Sequence, residues 1–175
     1  MSIVLQGSTS GSVTLQEPAV AGTTVLTLPA VSGTVLTDTS PKAGNVIQVV
    51  SQQAPANYTS TSSALTLLTQ SFTPTSASSK VLALMSYTVE RNGGSSANYI
   101  FVNFNRNAST IVTQWGNATG FGESSGVRGI ATHTYLDSPA TTSAISYTFV
   151  ADFSASGSAP FQFYTMQLTL MEIAA

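Results

Sequence analysis

The chain has 175 residues, of which 42% are hydrophobic and only 7% charged, with a net charge of −2. That length fits one ordinary domain plus an appendage and allows a real core. A charge content far below the roughly 25% of a typical soluble domain leaves no electrostatic footprint for nucleic acid or an anionic membrane. There is no cysteine, which excludes disulfides and thiolate metal sites.

The first residues, MSIVLQGSTSG, have no basic n-region and no long apolar run, so they do not form a signal peptide. No stretch approaches the roughly 18 apolar residues of a membrane span. The expectation is a soluble protein, made in a cytosol and not inserted in a membrane. Residues 11–43 then fall into rows of eleven, GSVTLQEPAVA, GTTVLTLPAVS and GTVLTDTSPKA, opened by Gly11, Gly22 and Gly33, with Gly44 beginning the next segment. Each row reads as one short strand, as at 12–16 or 24–28, then a Pro-containing turn and a Gly that frees the backbone for the next bend. Units so small cannot bury an apolar face within one chain. Val25, Leu26, Leu28, Val35 and Leu36 are therefore the candidate assembly residues, in need of cover from another subunit or a neighbouring protein.

After the arm, runs rich in Val, Ile, Thr, Tyr and Phe alternate with Gly, Pro, Asn and Ser, and helical periodicity is missing. The alternation predicts strands at 46–51, 65–72, 80–91, 98–105, 110–115, 127–136, 144–153 and 161–173. The third puts Val81, Ala83, Met85, Tyr87 and Val89 on one face, and the seventh Ile145, Tyr147, Phe149, Ala151 and Phe153. The last places Tyr164, Met166, Leu168 and Leu170 together, with Phe163, Thr165, Gln167 and Thr169 opposite. Such alternation belongs to antiparallel sheets with one buried face. The reading is all-β: an extended β-repeat arm at 1–43 and a jelly-roll-like antiparallel sandwich head at 44–175. The apolar surface left over on the strands predicts a homotrimer.

The stretch GSVTLQEPAVAGTTVLTLPAVSGTVLT resembles a short motif of phage tail fibres and related virion appendages. GNVIQVV from Gly44, SASSKVL from Ser76, LDSPATT from Leu136 and LMEIA from Leu170 resemble a C-terminal domain of phage fibre-like proteins. The resemblance implies a homotrimeric virion structural protein of tail-fibre type, attached through its arm to other virion proteins and binding a host surface glycan or protein. Unlike a long tail fibre, the sequence shows no extended anchoring domain, coiled coil or collagen-like shaft before the repeat. A capsid decoration protein whose arm grips the shell is the alternative, and a glycan-cleaving tailspike a third reading.

The chemistry-bearing residues are sparse, and the expectation is no enzyme and no cofactor. His133 is the sole histidine, and Asp137, on the same strand face, stands two side-chain repeats away, too far for a direct hydrogen bond. The GESSG at residues 122–126 matches G-x-S-x-G in spelling only, because a predicted strand and not a helix follows it, so the strand-to-helix elbow is not formed. Glu90, Glu123, Asp137 and Asp152 could serve glycoside hydrolysis only if two of them flanked a cleft. One His without Cys does not make a common zinc site, and no calcium loop is present. The Gly-rich segment 116–126 reads as a long mobile loop, with Trp115 at its base and Phe121 at its tip. These two aromatics are the candidate receptor-binding residues, against the reading in which Trp115 anchors the core.

Overall fold

The computed structural model describes residues 3–20, 22–23, 25, 27, 30–32, 41–54, 58–60, 64–91, 98–113, 117–121, 127–153 and 161–175. For Tyr58–Ser60, Arg91, Asn98, Tyr99, Asn117–Phe121, Val127 and Phe153 the backbone alone is described. Two compact units divide the chain, Met1–Val35 and Leu36–Ala175.

In the first unit, β1 (Ile3–Gln6) pairs antiparallel with β2 (Ser12–Leu15), from Ile3 opposite Leu15 to Gln6 opposite Ser12. The strand of the first repeat therefore finds a backbone partner within its own chain and not in another subunit. The Gly7 amide donates to the Gly11 carbonyl at 2.8 Å across the turn, and a Cβ on Gly7 would collide with the Ser10 carbonyl oxygen. Gly11 and Gly22 take φ of 77° and 58°, the left-handed region that suits glycine. Every residue in both strands is exposed, and no second layer covers them among the described residues.

The second unit contains β3 (Val46–Ala54), β4 (Tyr58–Ser60), β5 (Leu65–Phe72), β6 (Lys80–Arg91), β7 (Asn98–Arg106), β8 (Ser109–Val112), β9 (Asn117–Phe121), β10 (Val127–Asp137), β11 (Ile145–Phe153) and β12 (Phe161–Ile173). No helix occurs among the described residues. One sheet runs β10-β6-β12-β3 with β4 also on β12, and the other runs β5-β11-β7-β8 with β9 also on β7. All described pairings are antiparallel.

Pairing is nested: β3 with β12, β5 with β11, β6 with β10, and β7 with β8 and β9. The chain is thus one long hairpin whose successive pairs belong to alternate sheets, which is the topology of a jelly roll. The two ends meet where Gly44 N donates to Ala174 O and Ala174 N donates to Asn45 O. The turn between β7 and β8 puts Asn107 and Ala108 at φ of 49° and 67°, the two positive φ values of a tight type I′ hairpin.

Alternation in β6 holds from end to end: Val81, Ala83, Met85, Tyr87 and Val89 are buried while their neighbours are half-exposed. From the facing sheet come Ile100, Val102, Phe104, Ile145, Tyr147, Phe149 and Ala151. Phe104 stacks on Phe149 at 4.6 Å and on Tyr147 at 5.3 Å.

In the arm, Val25 and Thr27 are not part of a strand, against the one expected at 24–28, and in the head two sequence expectations fail for identifiable reasons. In β12 a bulge lies between Phe163, opposite Val89, and Met166, opposite Tyr87. The extra residue shifts the phase, so Phe161 and Phe163 join Met166, Leu168 and Leu170 in the core while Tyr164 points outward. The segment 116–126 is not loop throughout, because Asn117–Phe121 forms β9 on the edge of β7. Its Gly-containing sequence has little strand propensity of its own, and the pairing overrides it.

Candidate functional site

Of the arm residues singled out, Val25 is described and is 81% exposed, whereas Leu26, Leu28, Val35 and Leu36 lie outside the described residues. The same exposure runs through the described arm: Ile3, Val4, Leu5, Val13 and Leu15 in the hairpin, then Val20 and Val31, all at 52% or more. Burying one such side chain stabilises a contact by roughly 1.5–3 kcal/mol. The described part of the arm therefore presents a series of exposed apolar groups.

The recognition candidates fare differently. Trp115 lies outside the described residues. Phe121 ends β9, its backbone opposite Asn98, and its side chain is outside what is described.

The carboxylates named from sequence do not converge. Glu90 faces outward from β6 beside Arg128, whereas Asp137 is buried opposite Val81. These positions are nine residues apart along β6, ~30 Å at the rise of a strand. Asp152 sits on the other sheet, opposite Phe101, and Glu123 lies outside the described residues.

Asp137 has a structural set of partners. Arg106 Nη1 donates to both its oxygens at 2.9 and 2.8 Å, and Tyr147 Oη donates to Oδ2 at 2.7 Å. This ties β10 of one sheet to β7 and β11 of the other. Burial, and then the hydrogen bond to the Asp137 carboxylate, push the Tyr147 phenol far above its ordinary value.

Glu172, fully buried on β12, makes a second tie. Its Oε1 accepts from Thr75 N and Thr75 Oγ1, both at 2.8 Å, and its Oε2 accepts from Gln48 Nε2 at 2.6 Å. It clasps the crossover between β5 and β6 to the sheet. Burial alone would raise its carboxyl, but the donors from Gln48 and Thr75 outweigh it and hold the group below the usual carboxylate range.

Sequence reasoning missed both ties, although the signal was present. Asp137 and Glu172 are charged residues standing in the inward phase of otherwise apolar strand faces, and such residues require partners.

His133 also points inward, with Nε2 3.4 Å from Tyr87 Oη and the rings 5.6 Å apart. Burial lowers its basicity and raises Tyr87 to about 12. His133 and Asp137 thus engage separate neighbours, as their spacing predicted.

On the outer face of β6, β10 and β12, Glu90 Oε2 accepts from Arg128 Nε at 2.6 Å and from Tyr164 Oη at 2.5 Å. The Arg128 guanidinium lies 4.4 Å over the Tyr164 ring. Tyr164 first, and Arg128 with it, hold the Glu90 carboxyl below its ordinary value. Farther along the face, Leu84, Ser86, Thr132, Gln167 and Thr169 line a shallow depression of about 240 Å³. Among the described residues no cluster of three or more His, Asp or Glu side chains could hold a metal ion.

No family model matches the chain, and no curated protein matches it. Solved structures similar to it include that of the infectious bursal disease virus Gx strain, at 11% identity and a TM-score of 0.47, covering 92% of this chain and 38% of that one. Another is a mutant VP2 protein of the same virus in derived T=1 particles, at 13% identity and a TM-score of 0.48, covering 91% and 38%. A third is the T13 particle of that virus, at 14% identity and a TM-score of 0.44, covering 94% and 42%. The chain spans about 40% of the length of these neighbours. At such identities and scores, the functional reading rests on this chain's own residues.

Proposed function

We propose that the protein is a virion structural protein, a homotrimeric appendage of phage tail-fibre type whose jelly-roll head is held on the particle by the N-terminal arm. One observation carries this reading. The head buries its large side chains in a core of its own, while the arm leaves every described Val, Leu and Ile at least half exposed. A repeat of that kind supports attachment by strand addition to, or threading between, neighbouring proteins. The likeness of the arm to fibre motifs favours the tail over the capsid shell. The head then faces outward, where it is available to a host surface glycan or protein. No step of this reading calls for a catalytic group or a cofactor.

The test is incorporation. Deleting residues 1–43 leaves the head folded by circular dichroism and abolishes its presence in purified particles. Leu26→Asp with Leu36→Asp does nearly the same, because a buried unpaired charge costs several kcal/mol. Normal occupancy of the truncated protein would overturn the reading. Electron microscopy of labelled particles separates tail from shell, and shell labelling would replace the fibre by a decoration protein.

A further inference from the structure

The two sheets of the head differ on the sides that face away from the core. The β5-β11-β7 sheet turns out mostly polar side chains, Thr69, Ser71, Ser146, Thr148 and Asn103, with Phe101 and Val150 half-buried among them. The β10-β6-β12-β3 sheet turns out a row that crosses all four strands in register: Leu136 opposite Leu82, Leu82 opposite Met171, and Met171 opposite Val49. Ile173 and Val46 continue it along the last two strands. Among the described residues of the head, the strongly exposed large hydrophobics are Val46 at 52%, Val49 at 55%, Ile130 at 81% and Leu136 at 48%. All four stand on this one face.

We propose that the outer face of the β10-β6-β12-β3 sheet is the surface through which one copy of the chain packs on another, turned toward the axis of the homotrimer. This rests on the oligomeric reading above and assigns it a surface. The size is right: four strands about 4.8 Å apart and twelve residues long give roughly 700 Å², close to the roughly 800 Å² per partner of a stable interface.

The charge pattern selects the occupant. Among the described residues the face carries Lys80 at one corner and the Glu90–Arg128 pair, which neutralises itself at 2.6 Å. A charged foreign surface would find no complement and would strand its own charges. This chain, with 7% charged residues, offers the uncharged surface that such a face can bury. The outward Thr and Ser residues are small enough for close approach. The depression at Leu84, Ser86, Thr132, Gln167 and Thr169 provides a recess for a side chain of the next copy.

The experiment is sedimentation equilibrium of the full chain and two double variants, each checked by circular dichroism. Val49→Glu with Leu136→Glu places charge on the proposed face at side chains already half exposed, so the core is untouched. Thr66→Glu with Ser71→Glu places the same charge on the opposite sheet. The wild type and the Thr66/Ser71 variant should sediment at three times the 18.1 kDa chain mass. The Val49/Leu136 variant should sediment as a folded monomer, its association weakened at least a hundredfold. A trimeric Val49/Leu136 variant would overturn the assignment of this face and leave the trimer standing. A monomeric wild type would overturn both. If that monomer entered particles and the Val49/Leu136 variant did not, the occupant would be another virion protein, against this proposal.

Discussion

The arm and the head are built from the same residue types, and they solve the same problem differently. Val13 and Leu15 in the arm are 62% and 52% exposed, whereas Val81 and Leu168 in the head are wholly buried. The difference is topological. A hairpin of two four-residue strands satisfies some backbone groups but, among the described residues, has no second layer to cover its side chains. The long nested hairpin of the head folds its apolar face onto itself, so alternation along each strand becomes a core. Apolar pattern alone therefore does not decide burial. What decides it is whether enough strand follows in the chain to build the opposite wall.

Breaking the wall should have the largest effect. Phe149→Ala removes a ring stacked 4.6 Å from Phe104 and should cost about 3–5 kcal/mol in denaturant unfolding of the head. Val13→Ala in the arm should leave the same transition unmoved.

A smaller loss, about 1–3 kcal/mol, is expected from Glu172→Gln, which weakens the clasp on Thr75 and Gln48. This variant also carries a pH signature. Because the folded carboxyl titrates below its ordinary value, its contribution is complete above about pH 4.3 and is lost as pH falls through the folded value. The wild type should therefore lose more stability on acidification than Glu172→Gln. At the other limb, Tyr87 titrates at about 12 when folded. Its share is present below about pH 10 and drains away as pH rises toward 12, which Tyr87→Phe should blunt in alkaline unfolding curves.

The smallest change should be a gain. Ala108 holds a φ of 67° in the β7–β8 turn, and relieving it with Ala108→Gly should raise stability by roughly 0.5–1 kcal/mol.

Much of the head's strand pattern was legible because strict alternation has one physical meaning. The limits of β5, β6 and β12 follow from it, as do the inward faces of β6 and most of β11. The failures share a cause, since each depends on residues distant in sequence. The bulge that sends Tyr164 outward lies where the second partner of β12 changes from β4 to β3 while β6 stays paired throughout. β9 exists because β7 offers an edge. The tie at Glu172 needs strands from both ends of the head to meet, and the tie at Asp137 needs the two sheets to face each other. The sheet order is of the same kind, since β3 pairs with a strand more than a hundred residues away. In the arm, the exposure of Val25 was legible from the repeat, whereas pairing of β1 with β2 was hidden by the shortness of both strands.

The contrast between a self-sufficient head and an arm that needs cover can be measured by amide hydrogen exchange on the free protein and on intact particles. In the free protein, the amides of β6, β11 and β12 should exchange only through global unfolding, and those of β1 and β2 orders of magnitude faster. In particles the arm amides should become protected while the core strands of the head keep their rates. Arm amides that exchange as fast in the particle as in solution would contradict the account.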